Sequence, residues 1–469
     1  GASTAMTQIP GHADAGQESI AAIATPPGTA GIAVLRISGA GAIDIAASLF
    51  DGTDLRSAPT HTVHHGFVRD REGGLLDEVL VTVFRAPRSY TGEDSVEISC
   101  HGGSVVSKRV LQRVLDEGVR HAEPGEFTRR AFLNGKMDLS QAEAVADLIH
   151  AQTDEAHRAS LQQLEGRLSR YVSDIRDRLM HAAGMLELSL DFVEDDVEFL
   201  SAAEIAELLA EAERQLRRAL DSYAEGRIIR DGARIALVGA PNVGKSSLLN
   251  HFLGMRRAIV TDLPGTTRDY IEEAVLLHGE YVRLIDTAGL RSSEDVIEQE
   301  GIAISRETLR SADIVCLLAD ARQGYDGCAS MHAQLAEESD RGEVLLVFNK
   351  SDLMEPATAA ALESHGAVIS VLRGDGLAQL SLRLAALARD LRGGSEQGSV
   401  LVTNVRHADC LRRGIAALEQ ARDAASAGMT EEVLAAELRR SIDALGEIIG
   451  AVTTDDILNS IFSRFCIGK

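Results

Sequence analysis

The sequence is poor in cysteine and has no long apolar run. Its five cysteines among 469 residues are widely scattered, odd in number and without metal-site spacing: Cys100, Cys316, Cys328, Cys410 and Cys466. This usage is typical of a reducing compartment, so we expect a cytoplasmic protein. No stretch of about 18 or more apolar residues is present, and a membrane span is therefore not expected.

Positive charge is also scarce. Lys and Arg together number 47 against 71 Asp and Glu, which gives a formal net charge of −24 at pH 7. Indiscriminate binding to nucleic acid depends on a basic surface, and this balance excludes it. Any RNA contact must use a local patch or be shared with a partner. The hydrophobic fraction of 45% can bury real cores, and the length suits about three domains.

A motif near the middle of the chain predicts a phosphate-binding loop. Gly239-Ala-Pro-Asn-Val-Gly-Lys-Ser246 lies between an apolar run suited to a buried strand, residues 234–238, and a helical pattern at residues 246–250. In such a loop, successive backbone N–H groups and the helix N-terminus face one anion. We expect Lys245 to reach the β- and γ-phosphates and Ser246 to ligate Mg2+.

A second motif further along the chain predicts that the nucleotide is GTP. Asn349-Lys-Ser-Asp352 ends the apolar run 343–348. The Asp352 carboxylate can accept N1–H and N2–H2 of guanine, and adenine offers neither donor there. A site built on such acceptors rejects the wrong base, because its polar groups would stay unpaired. Ser370-Val-Leu372 stands where a GTPase usually places a Ser-Ala pair against guanine O6, and Val371 departs from that pattern.

A third motif, Asp286-Thr-Ala-Gly289, can supply a carboxylate for the Mg2+ hydration shell and a glycine N–H that senses a γ-phosphate. The next residue is Leu290, whereas many regulatory GTPases have a Gln there to orient the attacking water. Another group must position the water, and four acidic residues are candidates: Glu294, Asp295, Glu298 and Glu300. Asn242 could hold a monovalent cation beside the phosphates, or it could be only a turn residue.

Helical patterns flank the predicted nucleotide-binding segment on both sides. Apolar residues at steps of three and four predict one long helix over residues 161–190 and others over 205–223, 411–418 and 434–449. Neither flank looks large enough to form a domain alone. We therefore expect both to pack into one bundle that the nucleotide-binding domain interrupts, with polar, glycine-containing crossing points at 231–232 and 392–395.

The N-terminal part of the chain reads as an α+β module without nucleotide signals. The predicted elements are strands at 31–38, 78–84 and 95–99, a helix at 105–117 and a loop-rich stretch at 124–138. Residues 1–5, before Met6, look like a cloning remnant rather than a signal peptide.

Together these patterns predict a multidomain α/β plus α protein. The expected segments are a cloning remnant and disordered N-terminus at 1–16, an α+β domain at 17–134, a first helical part at 135–231, an inserted Ras-like P-loop GTPase domain with a mostly parallel sheet at 232–394, and a second helical part at 395–469.

Across nearly its whole length the chain resembles the MnmE (TrmE) family of bacterial tRNA-modification GTPases, in the TRAFAC-class TrmE-Era-EngA-YihA-Septin-like group. The matching stretches are Ala24-Thr-Pro-Pro-Gly28, Tyr90-Thr-Gly-Glu-Asp94, His101-Gly-Gly103, Pro124-Gly-Glu-Phe127, Ala131-Phe-Leu-Asn134, Gly265-Thr-Thr-Arg-Asp269, Asp286-Thr-Ala-Gly-Leu-Arg291 and Phe465-Cys-Ile-Gly-Lys469. The last motif and the interrupted helical architecture separate this family from other small bacterial GTPases.

The resemblance implies a homodimer joined through its N-terminal domains, whose GTPase domains meet across the nucleotides to hydrolyse GTP in a K+-dependent way. The implied catalytic residues are Glu298, which positions or activates water, with Asn242 and Lys245. The implied metal ligands are Asn242, Thr261, Leu263 and Thr266 for K+, and Ser246 and Thr267 for Mg2+. Motifs and resemblance together give these nucleotide-binding candidates: Asn242, Val243, Gly244, Lys245, Ser246, Ser247, Thr261, Thr266, Thr267, Asp286, Thr287, Ala288, Gly289, Asn349, Lys350, Asp352, Ser370, Val371 and Leu372.

The resemblance also implies that the N-terminal domain binds 5-formyl- or methylene-tetrahydrofolate as a one-carbon source. The matching positions are Arg36, Glu97 and Lys136, with Lys469 coming over the same site. Arg and Lys can pair with the glutamate tail, and a carboxylate can accept hydrogen bonds from the ring. Lone charged residues are otherwise usually only solvated. Cys466 corresponds to a cysteine of the family's terminal motif, either important to modification or a spare thiol.

The implied reaction adds an aminomethyl or carboxymethylaminomethyl group to carbon 5 of the wobble uridine, at position 34 of certain tRNAs. An FAD- and NADH-using partner, MnmG (GidA), would share the reaction in a heterotetramer-type complex. The sequence has no Gly-x-Gly-x-x-Gly dinucleotide motif, which fits a flavin supplied by another subunit. Two other classes stay open: a regulatory GTPase switch for ribosomal or signalling partners, and a folate-dependent protein whose GTPase is only regulatory.

Overall fold

A computed structural model describes residues 18–191, 202–255, 272–286, 296–299, 302–339, 343–393 and 400–469. The chain divides into two units, Gly1–Ala146 with Ile449–Lys469, and Asp147–Ile448. The first unit therefore contains the N-terminal module together with the end of the chain. The boundaries of the five predicted segments stay predictions.

The first unit is built on one sheet. Its strands are β1 (Ile20–Ile23), β2 (Ile32–Ser38), β3 (Phe50–Asp51), β4 (Thr62–Arg69), β5 (Leu75–Phe84), β6 (Ser95–His101) and β7 (Arg120–His121). Their order across the sheet is β3-β4-β5-β6-β2-β1-β7, and the pairing is antiparallel except between β1 and β7. The three strands predicted for this module are confirmed, and two of them extend further than expected.

Alternation along the strands decides which face of this sheet is buried. Leu35 and Ile37 of β2 and Val96 and Ile98 of β6 lie in the hydrophobic core. The same core contains apolar residues of two helices, α1 (Ala42–Leu49) and α2 (Ser104–Leu115). The intervening residues of β2 and β6 therefore point to the other face, where the charged side chains of these strands are placed.

Residues 124–138 are a correction, because the stretch expected to be loop-rich contains helix α3 (Glu126–Leu133). The Pro-Gly pair at its start suggested a loop, but Gly125 takes a left-handed φ of 69° and begins the helix. Phe127 and Ala131 are then fully buried on one face. A Cβ at position 125 would lie 2.6 Å from the carbonyl oxygen of Phe462, so only glycine allows this approach.

The remaining helices are α4 (Leu139–His150), α5 (Asp154–Leu164), α6 (Arg167–Asp191), α7 (Ala202–Asp221), α8 (Tyr223–Asp231), α9 (Lys245–Met255), α10 (Arg306–Ser311), α11 (Ala329–Glu338), α12 (Pro356–Leu362), α13 (Leu377–Asp390), α14 (Val405–Ser426), α15 (Glu431–Ile449) and α16 (Asp455–Phe462). The single long helix predicted over 161–190 is wrong. It is divided into α5 and α6 at Gly166, whose φ of 77° leaves the right-handed helical region.

The helices on the two flanks of the nucleotide-binding segment pack together, as expected. Glu213 of α7 accepts Arg422 of α14 at 2.7 Å, and Arg217 of α7 pairs with Glu419 of α14. A Cβ on Gly414 of α14 would lie within 4 Å of side chains from α7 and α15. In the described part of the chain, no helix is both long and apolar enough to span a membrane.

The second unit also contains a sheet, formed by β8 (Ala233–Gly239), β9 (Glu272–Leu277), β10 (Glu280–Asp286), β13 (Ile314–Asp320), β14 (Glu343–Asn349) and β15 (Ala367–Val368), and a separate hairpin, β11 (Val296–Gln299) with β12 (Ile302–Ser305). The sheet order is β15-β14-β13-β8-β10-β9. All neighbours are parallel except β9 and β10. Because parallel strands end at one edge, the three predicted nucleotide motifs follow β8, β10 and β14 on the same side.

Two helical glycines make a matched test of packing in the helical region. A Cβ on Gly226 of α8 would collide with the carbonyl oxygen of the fully buried Val402, whereas a Cβ on Gly184 of α6 meets nothing within 4 Å. We expect Gly226→Ala to lower the free energy of unfolding by about 1–3 kcal/mol through overpacking. Gly184→Ala should leave it unchanged or raise it by about 0.5–1 kcal/mol.

Urea unfolding followed by far-ultraviolet circular dichroism measures both changes. Equal transition midpoints for the two variants would show that the backbone at Val402 yields to the extra methyl group, contrary to this expectation.

Candidate functional sites

The loop between β8 and α9 is held in place by glycines at both of its ends. Gly239 has a φ of 153°, and a Cβ there would collide with the carbonyl oxygen of Leu318 in β13. Gly244 has a φ of 104°, and a Cβ there would collide with the Nδ2 atom of Asn349. The loop backbone is therefore seated tightly against β13 and against the end of β14.

The predicted phosphate-binding lysine and the predicted Mg2+ ligand both lie in the first turn of α9. Lys245 Nζ donates to the carbonyl oxygens of Gly239 at 2.6 Å and Ala240 at 3.0 Å, so the ammonium lies over the loop. Ser246 and Ser247 are exposed in the first turn of α9. A helix N-terminus with an ammonium and an exposed hydroxyl suits a phosphate with Mg2+, which prefers oxygen ligands.

Asn242 is the described member of the predicted K+ site. It is exposed and adopts a left-handed φ of 65°, which asparagine tolerates better than most residues. The residue is therefore exposed to solvent in the phosphate-binding loop. This placement fits both a cation ligand and a turn residue.

Asn349 connects the phosphate-binding loop to the base-reading loops. Its Nδ2 donates to the carbonyl oxygen of Val243 at 2.7 Å, and its Oδ1 accepts the backbone N–H of Val371 at 3.1 Å. The side chain is almost fully buried, at 4% exposure. One amide therefore fixes the distance between the segment that would hold the phosphates and the segments that would hold the base.

Asp352 and Ser370 lie in direct contact. Ser370 Oγ donates to Asp352 Oδ1 at 2.6 Å and also accepts the backbone N–H of Arg373 at 3.2 Å. The carboxylate of Asp352 is thereby oriented through one of its two oxygens. Leu372 is 88% exposed and Val371 only partly buried, so Val371 contributes its backbone N–H to the site and Leu372 points to solvent.

Sequence reasoning missed Asp320, at the end of β13. This carboxylate is 8% exposed and accepts Lys350 Nζ at 3.0 Å. The hydrogen bonds from Arg322 and Lys350 hold the pKa of the Asp320 carboxyl well below its usual range. An acidic residue that ends an apolar run was the available signal, and the same signal drew attention to Asp286.

Several predicted nucleotide and metal residues lie outside the described residues: Thr261, Leu263, Thr266, Thr267, Thr287, Ala288 and Gly289. Leu290, Glu294, Asp295 and Glu300 lie outside them as well. Asp286 is the last residue of β10 and Glu298 stands opposite Ala303 in the β11–β12 hairpin, and the side chains of both are outside the description.

A second candidate site lies on the open face of the N-terminal sheet. Arg36 and Glu97 are direct neighbours on β2 and β6, and Arg36 Nη2 lies 2.7 Å from Glu97 Oε1. The Arg36 guanidinium carbon lies 4.9 Å from the centre of the Tyr90 ring. Among the residues that the structure describes, none accepts a hydrogen bond from the buried Arg36 Nη1. Because a buried donor without an acceptor is costly, this nitrogen fits a ligand that brings an anion or a carbonyl oxygen.

The end of the chain reaches the same place. A Cβ on Gly468 would lie 2.5 Å from the Ile23 carbonyl oxygen, which shows how closely the terminal segment approaches the sheet. Lys469 Nζ lies 5.7 Å from the centre of the Tyr90 ring. Burial and the charge of Arg36 lower the pKa of the Lys469 ammonium, and Glu97 partly opposes them. The structure therefore brings Arg36, Glu97 and Lys469 together.

Two further predicted residues of this region, Lys136 and Cys466, form no hydrogen bond, ion pair or ring contact with Arg36 or Tyr90 in the described part of the chain. Lys136 Nζ donates to the Pro87 carbonyl oxygen at 3.0 Å, and its stem lies beside Gly92. Cys466 is exposed, whereas the other four cysteines are buried. The thiol of Cys466 is therefore accessible to solvent.

Models of two domain families match this sequence. The MnmE helical domain matches residues 139–466, and the GTP-binding protein TrmE N-terminus matches residues 19–136. Among curated relatives, the tRNA modification GTPase MnmE of Chlorobium chlorochromatii is 44% identical and the alignment covers 96% of this chain and 98% of the relative. The proteins of the same name from Levilactobacillus brevis and Salinibacter ruber are 42% and 43% identical, with 96% of this chain covered and 98% and 99% of the relatives.

Solved structures resemble parts of the chain. The G domain of the T. maritima FeoB iron transporter is 28% identical, covering 33% of this chain and 98% of that domain with a TM-score of 0.26. Aquifex aeolicus Era bound to GDP and aluminium fluoride is 23% identical, covering 39% of this chain and 66% of Era with a TM-score of 0.25.

Asp352→Asn tests how the base is read. Asparagine replaces one acceptor oxygen with an NH2 donor, which suits the carbonyl of xanthine and opposes the N–H groups of guanine. We expect GTP affinity to fall at least about 100-fold and xanthosine triphosphate to become the better ligand. Competition against a fluorescent nucleotide measures both affinities.

Ser370→Ala is the matched control, since it keeps the Asp352 carboxylate and removes only the hydrogen bond that orients it. We expect a loss of about tenfold in GTP affinity and no gain for the xanthine nucleotide. Tight GTP binding by Asp352→Asn would contradict the role of this carboxylate.

Proposed function

The chain belongs to the MnmE family of tRNA modification GTPases, and from this premise we propose that it is a K+-dependent GTP hydrolase that helps to modify carbon 5 of the wobble uridine of certain tRNAs. The family membership identifies a GTPase. The K+ dependence, the one-carbon donor and the partner belong to the proposal.

The observation that best supports the proposal is the Asn349 bridge between the phosphate-binding loop and the base-reading loops. Around it, Lys245 and Ser246 stand at the phosphate end, and Asp352 with Ser370 stands at the base end. Such an arrangement binds a nucleotide by its two ends at once. Acceptors at the base end favour guanine over adenine, because adenine would leave Asp352 unpaired.

The metal ions would act at the phosphate end. Mg2+ would be held by Ser246 with Thr267, and K+ by Asn242 with Thr261, Leu263 and Thr266. Bound there, the two cations would supply positive charge for the transferring phosphoryl group. The exposed positions of Asn242 and Ser246 support this assignment. Lys245 contributes its own charge to the β- and γ-phosphates.

Hydrolysis also needs a group that orients the attacking water. Leu290 has no hydrogen-bonding side chain, so the glutamine route of many regulatory GTPases is absent. We assign this role to Glu298, in the hairpin that follows the third nucleotide motif. A carboxylate can accept a proton from water and align it for attack.

The site on the N-terminal sheet would bind the one-carbon donor, 5-formyl- or methylene-tetrahydrofolate. Arg36 Nη1 offers a buried donor that no described residue accepts, and Lys469 adds a second cation nearby. These two groups suit the carboxylates of a folate glutamate tail, and Glu97 suits the N–H donors of its ring. The Tyr90 ring supplies a flat apolar wall beside Arg36.

We further propose that this chain forms a homodimer and acts with MnmG (GidA), which would supply the flavin, on tRNA. The exposed Cys466 lies in the same terminal segment as Lys469 and is a candidate for the modification chemistry. The formal charge of −24 fits RNA binding that is shared with a partner rather than borne by this chain alone.

GTP turnover with K+ replaced by Na+ at matched ionic strength tests the cation dependence. We expect K+ to accelerate hydrolysis severalfold in the intact chain, and Asn242→Ala to remove the advantage of K+ over Na+. Glu298→Ala should lower kcat by about 100-fold or more while GTP still binds, because water is no longer oriented.

Glu294→Ala and Glu300→Ala are the matched controls, because they remove neighbouring carboxylates and should retain turnover. A rate that ignores the cation would make Asn242 a turn residue and favour a regulatory switch. A loss of turnover in Glu300→Ala instead of Glu298→Ala would move the water-positioning role to Glu300.

Binding of 5-formyl-tetrahydrofolate, measured by calorimetry, tests the second site. Arg36→Gln removes the free donor and the cation, and we expect affinity to fall about 10- to 100-fold. Arg69→Gln is the control, because Arg69 forms an exposed ion pair with Asp51 on the same sheet. Absence of folate binding by the unaltered chain would favour a GTPase switch without its own modification role.

A further inference from the structure

Asp320 is a buried carboxylate at the edge of the base-reading loops. It is the last residue of β13 and lies directly opposite Asn349 in the register of β13 with β14. Asp320 Oδ1 accepts the backbone N–H of Arg322 at 3.1 Å and Arg322 Nε at 2.9 Å. Oδ2 accepts Arg322 Nη2 at 2.7 Å and Lys350 Nζ at 3.0 Å.

The two cations that face Asp320 differ in their surroundings. Arg322 is 55% exposed, whereas the Lys350 side chain is 30% exposed. A carboxylate with as little solvent access as Asp320 needs charged partners, because burying an unpaired charge is costly. Lys350 is the less solvated of the two partners, and its ammonium is fixed by this contact.

Lys350 itself has an unusual backbone. Its φ of 68° and ψ of 34° lie in the left-handed region, which costs a non-glycine residue about 1 kcal/mol or more. This turn directs the chain from β14 to Asp352, which meets Ser370. The ion pair with Asp320 therefore holds the side chain of Lys350, and the backbone conformation of Lys350 sets the position of the Asp352 carboxylate.

We propose that Asp320 is a positioning residue for guanine binding, which holds the Lys350 ammonium so that the stem of Lys350 forms a fixed wall of the base site next to Asp352. The four-carbon stem of a lysine can cover an apolar surface while its charged end is held elsewhere. The flat face of a purine is such a surface. The proposal rests on the assignment of Asn349 to Asp352 as the guanine-reading motif.

The proposed role affects how long the nucleotide stays bound rather than the chemical step. Loss of the Asp320 charge frees the Lys350 ammonium, and the wall of the base site loosens. We expect Asp320→Asn to release GDP about 10- to 100-fold faster, because most losses of affinity at a binding site appear in the dissociation rate. The value of kcat at saturating GTP should change less than about twofold, because the phosphate-binding loop keeps its own contacts.

Release of a fluorescent GDP analogue from the full chain, followed by stopped flow, tests the proposal. The variants are Asp320→Asn, Lys350→Met and the double variant. If Asp320 acts through Lys350, the double variant releases GDP no faster than Lys350→Met alone, since the two changes remove one interaction. Arg322→Ala is the matched control, which keeps both Asp320 and Lys350, and its release rate should stay within about threefold of the unaltered chain.

Three outcomes would overturn the proposal. Release from Asp320→Asn within twofold of the unaltered chain would show that the carboxylate does not hold the base site. Rate increases that multiply in the double variant would show that Asp320 acts by a route other than Lys350. Equal displacement of the analogue by ADP and GDP in the unaltered chain would overturn the guanine assignment itself, and the proposal with it.

Thermal unfolding separates positioning from stability: removal of a buried charge-pair partner should lower the melting temperature of Asp320→Asn, and release is therefore measured at a temperature at which this variant is still folded. If Asp320→Asn does not fold, Asp320→Glu replaces it, because this variant keeps the charge but displaces it from Lys350. Faster release from Asp320→Glu than from Arg322→Ala would then support the proposal, and equal release from the two would overturn it.

Discussion

The nucleotide-binding part of this molecule depends on one side-chain amide. Asn349 donates to the phosphate-binding loop through a buried hydrogen bond and accepts from the base-reading loop through a partly buried one. An amide is suited to this position because it carries a donor and an acceptor side by side. Loss of either bond would leave a buried polar group unpaired, at a cost of about 1–3 kcal/mol. The same amide explains Gly244, since a Cβ there would occupy the space of Asn349 Nδ2.

A second set of contacts joins the nucleotide-binding sheet to the helices around it. Glu280, at the turn between β9 and β10, is buried and pairs with two arginines. Arg389 lies near the end of α13, and Arg392 follows that helix. Arg392 also lies 3.9 Å from Glu155 of α5. The β9–β10 hairpin ends at Asp286, on the nucleotide side of the sheet. The turn of the hairpin is therefore tied to the helices by ion pairs, and its other end lies on the same side of the sheet as the predicted nucleotide motifs.

The sequence predicted the parts of the sites that are encoded by short, contiguous motifs. The strand before the phosphate-binding loop and the strand before Asn349 are recognisable as apolar runs. The spacing of the loop glycines and the position of Asn349 are set by the local backbone, so a short motif can identify them. Helix α3 was missed because a Pro-Gly pair can precede a helix as well as a loop. The break at Gly166 was missed because the φ of a single glycine cannot be read from a periodic pattern.

Contacts between residues far apart in the sequence could not be predicted from local patterns, because strand register and packing bring these residues together. Arg36 and Glu97 are 61 residues apart, and only the register of β2 with β6 makes them neighbours. Lys469 reaches them through the packing of the last residues against β1, which no periodicity encodes. Asp320 and Lys350 meet because β13 and β14 end together. The family resemblance identified Arg36, Glu97 and Lys469 as candidates without a physical derivation. Asp320 was not identified, because it lies outside every motif.

The site on the N-terminal sheet brings two cations and one carboxylate together around an aromatic ring. Two cations, Arg36 and Lys469, lie against one Tyr90 ring, and Glu97 is the carboxylate paired with Arg36. Burial and the charge of Arg36 both lower the pKa of the Lys469 ammonium, so the two cations oppose each other. An anion placed between them would relieve this repulsion and favour the protonated lysine. Since Lys469 ends the segment that contains Cys466, a bound anion would also hold that segment, with its exposed thiol, against the sheet.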